Sequence, residues 1–325
     1  MELFHSGVLI KELRKQKKWT QSYLCEGICD KGTLARIEKG ERRPEMFIFI
    51  SLMERLGEDP RKYYYDIITM EDKLLIDLDI KLTDLLRKRD KDAEDEAELL
   101  INELDERKDF KSKRYMQLLL HHKATLSFNR EQYTDAYNYA IQALKITNPN
   151  FDEEKIDTYI YTSIEMELIN TIAAAHNFKN SIEKSTDIYL KLKTAMDKNY
   201  MNDDSKLRNY LQVLFNVTKN LSISSKHEDC LQLCDKGIEL SKADRNSYFL
   251  PRFIFHKGCS LLYLNKREEG IGYMCKAYAL FLGMDNHTEI SLMLPFLENE
   301  FGLNLSDLEF RLRIPPNHGL VLPTS

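Results

Sequence analysis

Glycine and proline are scarce in this 325-residue chain, which contains 12 glycines and 8 prolines. No glycine occurs from residue 58 to residue 236, a run of 179 residues, and the prolines in that run are Pro60 and Pro149. A β-sheet protein needs tight turns, and such turns depend on Gly, Asn-Gly or Pro. The composition therefore predicts an all-α protein.

Long apolar runs and cysteines are also few. The N-terminus lacks the long apolar core of a signal peptide, and we expect a cytoplasmic protein that does not span a membrane. Six cysteines are too few for a disulfide scaffold in a chain of this length. Cys25 and Cys29 lie four residues apart, as do Cys230 and Cys234, but no further ligands are spaced for zinc. We expect no metal site and no cofactor.

Charge is distributed unevenly along the chain. Residues 1–44 carry ten Lys/Arg and six Asp/Glu, a balance of +4. Residues 71–106 carry fourteen Asp/Glu and six Lys/Arg, a balance of −8. A basic N-terminal region on an acidic body favours an anionic partner for the N-terminal region alone.

The first 66 residues, called the head below, are predicted to form five short helices. The expected spans are 7–17, 21–26 and 31–39, then one helix from residue 44 and one from residue 59. Thr20 and Asp30 are N-cap residue types, and Gly27 and Gly40 suit the position after a helix. Two short helices joined by a tight turn, here 21–26 and 31–39, form a helix-turn-helix.

Residues 19–44, WTQSYLCEGICDKGTLARIEKGERRP, resemble the Cro/repressor-type (XRE-like) DNA-binding family. The positions that match the family pattern are Thr20, Gln21, Leu24, Leu34, Ile37, Glu38, Gly40 and Pro44. Asp30 departs from the usual Ser, although Asp is an equally good cap. Gly32 is unusual inside a recognition helix, where it costs about 0.5–1 kcal/mol relative to Ala.

The resemblance implies that the N-terminal end of the 31–39 helix enters the major groove of DNA. The side chains expected to meet base edges are Lys31, Gly32 and Arg36, with Thr33 on a thymine methyl or a phosphate. Thr20 and Gln21 begin a helix, where backbone amides favour phosphate. Arg42 and Arg43 follow the recognition helix and are expected to reach backbone phosphate.

The body is predicted to consist of helical pairs. Residues 67–108 are expected to hold a linker helix at 71–89 and an acidic helix at 93–106. In residues 109–312, small side chains recur after residues 133, 178, 227 and 267, each preceded by an amphipathic segment: 115–128, 156–176, 205–222 and 248–263. A further pair near 287–300 and 306–312 closes the array, and residues 313–325 form a tail.

These pairs resemble the tetratricopeptide (TPR) repeat, which has small residues where two helices cross closely. The resemblance implies a right-handed TPR-like α-solenoid whose concave wall is formed by the first helix of each pair. The candidate peptide-binding residues of this wall are His122, Asn170, Gln212, Asn216, Lys219, Asn220, Arg252 and His256. Asn can both donate to and accept from a peptide backbone, whereas Lys, Arg and His can hold a carboxylate.

The combination of a Cro-type head, a linker helix and TPR-like repeats resembles the PlcR/Rgg-like peptide-pheromone-responsive transcriptional regulators. The resemblance implies a cytoplasmic homodimer that binds double-stranded DNA at a palindromic operator and a short signalling peptide, as in quorum sensing. An apolar stripe on the linker helix, at Leu74, Leu78, Leu82 and Leu85, is expected to need a partner surface.

Several alternatives stay open. The repeats could dock another protein, the chain could be a phage-type peptide receptor, or it could act on a response regulator as related phosphatase receptors do. Motifs of a phosphate-binding loop, a serine hydrolase or a zinc protease are lacking, and no catalytic activity is expected.

Overall fold

The computed structural model describes residues 5–60, 70–106, 113–179, 181–199, 207–242 and 248–312. Within these ranges the chain is built from α-helices and short 3-10 segments, and it forms no strand. The all-α prediction is confirmed for this part of the chain.

The helices are numbered along the chain. In chain order they are α1 His5–Gln16, α2 Gln21–Cys25, α3 Lys31–Glu38, α4 Met46–Arg55, α5 Met70–Lys88, α6 Lys91–Glu106, α7 Lys113–Asn129, α8 Tyr133–Thr147, α9 Ser163–Phe178, α10 Ile182–Asn199, α11 Leu207–Ile223, α12 His227–Ser241, α13 Leu250–Tyr263, α14 Arg267–Gly283, α15 His287–Phe301 and α16 Leu305–Leu312.

The predicted caps set the ends of the head helices. The Thr20 hydroxyl accepts a hydrogen bond from the Tyr23 amide at 3.2 Å, and Asp30 accepts one from the Thr33 amide at 2.8 Å. Gly27 follows α2 in a left-handed conformation, with φ of 75°. Helix α4 begins at Met46, two residues later than predicted. The fifth predicted head helix, from residue 59, lies almost wholly outside the described residues.

A small apolar core closes the head. It combines the inner faces of the four helices with their flanking residues, and its fully buried members are Ile10, Leu24, Leu34, Ile37, Met46, Phe49, Leu52 and Met53. Residues three and four apart share one face of a helix, so these side chains point inward together. On α4 the sequence pattern favours Ile48, but Met46 and Phe49 are the fully buried residues beside Leu52 and Met53, and Ile48 is half-buried.

The linker helix α5 is packed inside its own chain. Leu82 and Leu85 are buried in a cluster with Ala97 and Ile101 of α6 and Tyr115 of α7. This corrects the expectation for Leu82 and Leu85, which the neighbouring helices already cover, while Leu78 is partly buried against the same cluster. The Leu74 side chain is not among those described.

Small residues mark the helix crossings of the repeats, as predicted. Ala136, Ala140 and Ala143 of α8 are fully buried, and α8 packs on α7. On α12, a Cβ added to Gly237 would lie 2.5 Å from the Phe253 ring of α13. Close helix approach therefore requires the small side chain at these positions.

One repeat begins differently from the prediction. Helix α9 starts at Ser163 rather than near residue 156, and the 3-10 helix Glu153–Thr158 precedes it. The reason is a capping box, in which Thr162 accepts from the Glu165 amide while Glu165 accepts from the Thr162 amide. The box fixes the first turn of α9 at Ser163.

Internal contacts divide the chain into two units, residues 1–209 and 210–325. The first unit holds α1 to α10, and the second holds most of α11 and the helices after it. The domain bounds predicted from the sequence stay predictions. Among the described residues, none of the helices combines the length and apolar character needed to cross a bilayer.

Candidate functional site

A buried ion pair positions α3 in the head. Arg14 Nε lies 2.6 Å from Glu38 Oε1, and Arg14 Nη2 lies 2.7 Å from Glu38 Oε2. Gln21 Nε2 donates to the same carboxylate at 2.9 Å. Burial raises the pKa of Glu38, but the hydrogen bonds from Arg14 and Gln21 outweigh it and leave the pKa below its usual value. The carboxylate thus ties α1 and α2 to the last turn of α3.

The opposite side of α3 is open to solvent. Lys31, Gly32 and Arg36 are exposed, as predicted from the helical register. Thr33 is different, because it is buried and its hydroxyl donates to Asp30 Oδ2 at 2.6 Å. This corrects the expectation that Thr33 contacts DNA: its hydroxyl is used to cap α3. The hydrogen bonds from Thr33 lower the pKa of Asp30.

The predicted phosphate contacts flank this exposed side. Thr20 is exposed, and its hydroxyl accepts the Tyr23 amide. Arg43 is exposed, and Arg42 forms an exposed ion pair with Glu45 at 3.1 Å. Gln21 differs from the expectation, since its amide group donates to the buried Glu38. Its backbone still lies at the start of α2.

In the first unit, one of the two candidate peptide-binding residues is unavailable. His122 is 1% exposed, and its Nε2 lies 2.9 Å from Asp79 Oδ1. This corrects the concave-wall prediction: His122 joins α7 to the linker helix α5. Asn170 is half-buried on α9, and its backbone carbonyl accepts a hydrogen bond from the Tyr189 hydroxyl at 3.3 Å.

In the second unit, α11 presents a row of polar side chains. Gln212 Nε2 lies 3.4 Å from Asn216 Oδ1, both side chains are half-buried, and Lys219 is exposed. Asn220 is 1% exposed, which corrects its placement on the same surface. It shares a face of α11 with the buried Val213 and Val217, seven and three residues before it.

Arg252 on α13 is already paired. It forms an ion pair with Glu289 at 2.5 Å, donates to the Tyr248 carbonyl at 2.6 Å and lies 3.7 Å from the centre of the Tyr248 ring. This corrects the expectation that it holds a ligand carboxylate, because Glu289 already balances its charge.

His256 on α13 packs among aromatic rings. Its ring centre lies 5.3 Å from that of Phe215 and 5.7 Å from that of Phe255. Burial, with the nearby charge of Lys219, lowers the pKa of His256 to about 4. The imidazole is therefore neutral at pH 7, which corrects its predicted role as a cation. It can instead offer an apolar face and one polar ring atom.

The second unit thus brings together Gln212, Asn216 and Lys219 of α11 and His256 of α13. The aromatic neighbour Phe215 was missed by the sequence analysis, although it lies one residue before Asn216. The sequence analysis also missed that Arg14 positions α3. Glu38 could have indicated it, because an acidic residue on the inner side of a helix needs a buried cationic partner.

Two comparisons place the chain among known proteins. Residues 10–63 match a family model described as "Helix-turn-helix". The chain therefore contains a helix-turn-helix domain at the position that the motif predicted. No curated protein sequence matches the chain.

The solved structures with a similar fold include PlcR of Bacillus thuringiensis in two forms. PlcR in complex with the peptide PapR7 and DNA is 20% identical, with a TM-score of 0.55, and the match covers 89% of this chain and 98% of PlcR. The apo form is 17% identical, with a TM-score of 0.57 and coverage of 91% and 99%. This likeness extends over nearly the full length of both chains and shows a shared all-α fold.

Proposed function

We propose that the chain is a DNA-binding transcriptional regulator whose repeats bind a short signalling peptide. The observation that carries the proposal is the two-sided character of α3. Its inner side is fixed by the Arg14–Glu38 pair, while Lys31 and Gly32 are exposed in its first turn and Arg36 is exposed in its last turn. A helix held in this way can enter the major groove with its first exposed side chains against base edges.

Phosphate contacts complete the proposed interface. Arg42 and Arg43 follow α3 on the surface. The exposed ion pair between Arg42 and Glu45 contributes little free energy, so replacing the Glu45 carboxylate with a DNA phosphate costs little. The exposed Thr20 and the backbone amides at the start of α2 can face a second phosphate. Such contacts fix the register of a protein on DNA, while the base contacts select the sequence.

The peptide site is proposed on α11 and α13 of the second unit. Gln212, Asn216 and Lys219 occupy successive turns of α11, and amide side chains can both donate to and accept from a peptide backbone. The PlcR structure with PapR7 and DNA supports this proposal, because a protein of the same fold binds both kinds of ligand. Asn170, on α9 of the first unit, stays a separate candidate for peptide contact.

We further propose a cytoplasmic homodimer that binds a palindromic operator. One helix-turn-helix reads too few base pairs for a selective site, and a two-fold pair reads two half-sites about 34 Å apart. The proposed function is one of binding rather than catalysis. The competing proposal, docking of another protein on the repeats, is distinguished by the peptide experiment below.

DNA binding is tested by fluorescence anisotropy with labelled fragments of the promoter regions next to the gene. The affinity should fall steeply with salt. Arg36→Ala should weaken specific binding by about 1–3 kcal/mol and relax the choice of base at one position of each half-site. Arg267→Ala, an exposed arginine on α14, is the control and should bind as the wild type does. Absence of any salt-dependent binding by folded protein would contradict the proposal.

Peptide binding is tested by native mass spectrometry of the protein purified from its own cells. A co-purifying peptide of about five to ten residues, the length that spans several helical repeats, is the expected result. Its synthetic copy should bind wild-type protein in calorimetry, and Asn216→Ala should weaken binding about tenfold, since one hydrogen bond to an extended backbone is lost. A co-purifying folded protein in place of a peptide favours the docking alternative.

A further inference from the structure

The head rests on the repeats of the first unit through the turn of the helix-turn-helix. A Cβ added to Gly27 would lie 1.3 Å from the Thr147 carbonyl oxygen, and its nearest further neighbours are also backbone atoms of Thr147. Thr147 is the last residue of α8. The two backbones therefore meet with no room for a side chain between them.

Thr147 is itself held firmly in place. Its hydroxyl accepts a hydrogen bond from Gln117 Nε2 at 2.5 Å and donates to Glu165 Oε1 at 2.7 Å. Glu165 also closes the capping box at the start of α9. The surface that meets Gly27 thus belongs to a buried polar network that joins α7, α8 and α9.

A second contact comes from the head helix α4. Glu54 Oε2 accepts a hydrogen bond from the Ser163 amide, the first of α9, at 2.9 Å. A carboxylate at this position satisfies an amide that has no partner within the helix and interacts favourably with the helix dipole. Phe47 of the same head helix packs against the apolar cluster of α5, α6 and α7.

We propose that these contacts form a latch, made of Gly27 and Glu54 in the head and of Thr147 and Ser163 in the repeats. The latch fixes the orientation of α3 relative to α8 and α9 and leaves Lys31, Gly32 and Arg36 exposed. A rearrangement of α8 or α9 then reaches the head directly through the latch, without passing along the linker. This last step, the transfer of a ligand signal, rests on the proposed function, whereas the latch itself does not.

The chain offers a matched pair of substitutions for the test. Gly27 and Gly40 both have left-handed backbones, with φ of 75° and 73°. A Cβ at Gly40 would meet nothing within 4 Å, whereas a Cβ at Gly27 would strike Thr147. Gly27→Ala and Gly40→Ala therefore share the backbone strain and differ in the collision with the repeats.

Two readouts on the full chain report the latch. Hydrogen exchange at residues 159–168 should be about tenfold faster in Gly27→Ala than in Gly40→Ala, because opening of the latch exposes the Ser163 amide. Trp19 is the single tryptophan and lies in the head, so its anisotropy decay reports how freely the head tumbles. The anisotropy decay should be faster than that of the wild type in Gly27→Ala, and it should be unchanged in Gly40→Ala. Equal behaviour of the two variants by both readouts would overturn the latch.

A second set of variants covers the case in which Gly27→Ala unfolds the head. Glu54→Ala should speed exchange at residues 159–168, and Glu54→Gln, which keeps an acceptor oxygen, should restore much of the protection. Glu41→Ala, at an exposed head position, should exchange at residues 159–168 as fast as the wild type does. If Glu54→Ala also exchanges there at the wild-type rate, the latch is wrong. DNA binding by wild-type protein is scored separately, so failure of the proposed function and failure of the latch are distinguishable.

Discussion

Gly258 of α13 and Gly270 of α14 face each other so closely that a Cβ on either would lie 3.2 Å from the carbonyl oxygen of the other. A Cβ on Gly270 would also lie 2.7 Å from Cγ of Leu262. That carbon is a branch point rather than the free end of a side chain, so it cannot move aside easily. The crossing of α13 and α14 therefore depends on both glycines.

We predict that Gly270→Ala destabilises the protein although it raises helix propensity. Overpacking at the crossing costs about 1–3 kcal/mol, which exceeds the propensity gain of about 1 kcal/mol. Gly272, two residues along the same helix, is the control because a Cβ there meets nothing within 4 Å. Gly272→Ala should stabilise by about 0.5–1 kcal/mol. Urea denaturation followed by circular dichroism measures both changes, and effects of the same sign would contradict this account of the crossing.

The buried Arg14–Glu38 pair should be far more important to the head than the exposed Arg42–Glu45 pair. Arg14→Met leaves the Glu38 carboxylate buried without its cation, which costs about 3–5 kcal/mol. Arg42→Met breaks an exposed pair and should cost at most about 1 kcal/mol. Trp19 fluorescence during urea denaturation reports the head specifically. Similar midpoints for the two variants would show that the Arg14–Glu38 pair does not hold α3.

Leu82 and Ile80 on the linker helix test whether the apolar stripe is satisfied within one chain. Leu82 is 1% exposed and Ile80 is 55% exposed. Leu82→Ala should cost about 2–5 kcal/mol of unfolding free energy, because it opens a cavity among α5, α6 and α7. Ile80→Ala should change it by about 0.5 kcal/mol or less. Sedimentation shows whether either variant alters self-association; a loss of dimer with unchanged stability in Leu82→Ala would restore the stripe as a dimer surface.

The sequence predicted the helices better than the partners of their side chains. Caps such as Thr20 and Asp30 and the crossing residues such as Ala136 are local signals, and the structure has them where the pattern placed them. The start of α9 was predicted too early because the capping box at Thr162 was not recognised.

The candidate peptide-binding residues were predicted less well for a physical reason. Helical register tells which residues share a face, but it does not tell what another helix brings to that face. His122 meets Asp79 from 43 residues earlier, and Arg252 meets Glu289 from 37 residues later. Neither partner is detectable from the spacing within one repeat.

The neutral state of His256 leads to a prediction about acid stability. Its pKa is about 4 in the folded protein, whereas an ordinary histidine in the unfolded chain has a pKa of about 6.5. Between these two pH values the unfolded state binds more protons than the folded state. The contribution of His256 to the unfolding free energy is therefore fully present above pH 6.5 and is lost as the pH falls towards 4. The loss attributable to this group is about 3 kcal/mol.

His256→Phe removes the titrating group and keeps an aromatic ring beside Phe215. Its unfolding free energy, measured in urea between pH 4.5 and pH 7, should therefore fall by about 1–3 kcal/mol less than that of the wild type. The protonation of the His256 ring, followed directly by NMR, should occur well below pH 6. Parallel stability curves for the two proteins, or a ring that titrates near pH 6.5, would contradict the burial of the imidazole between α11 and α13.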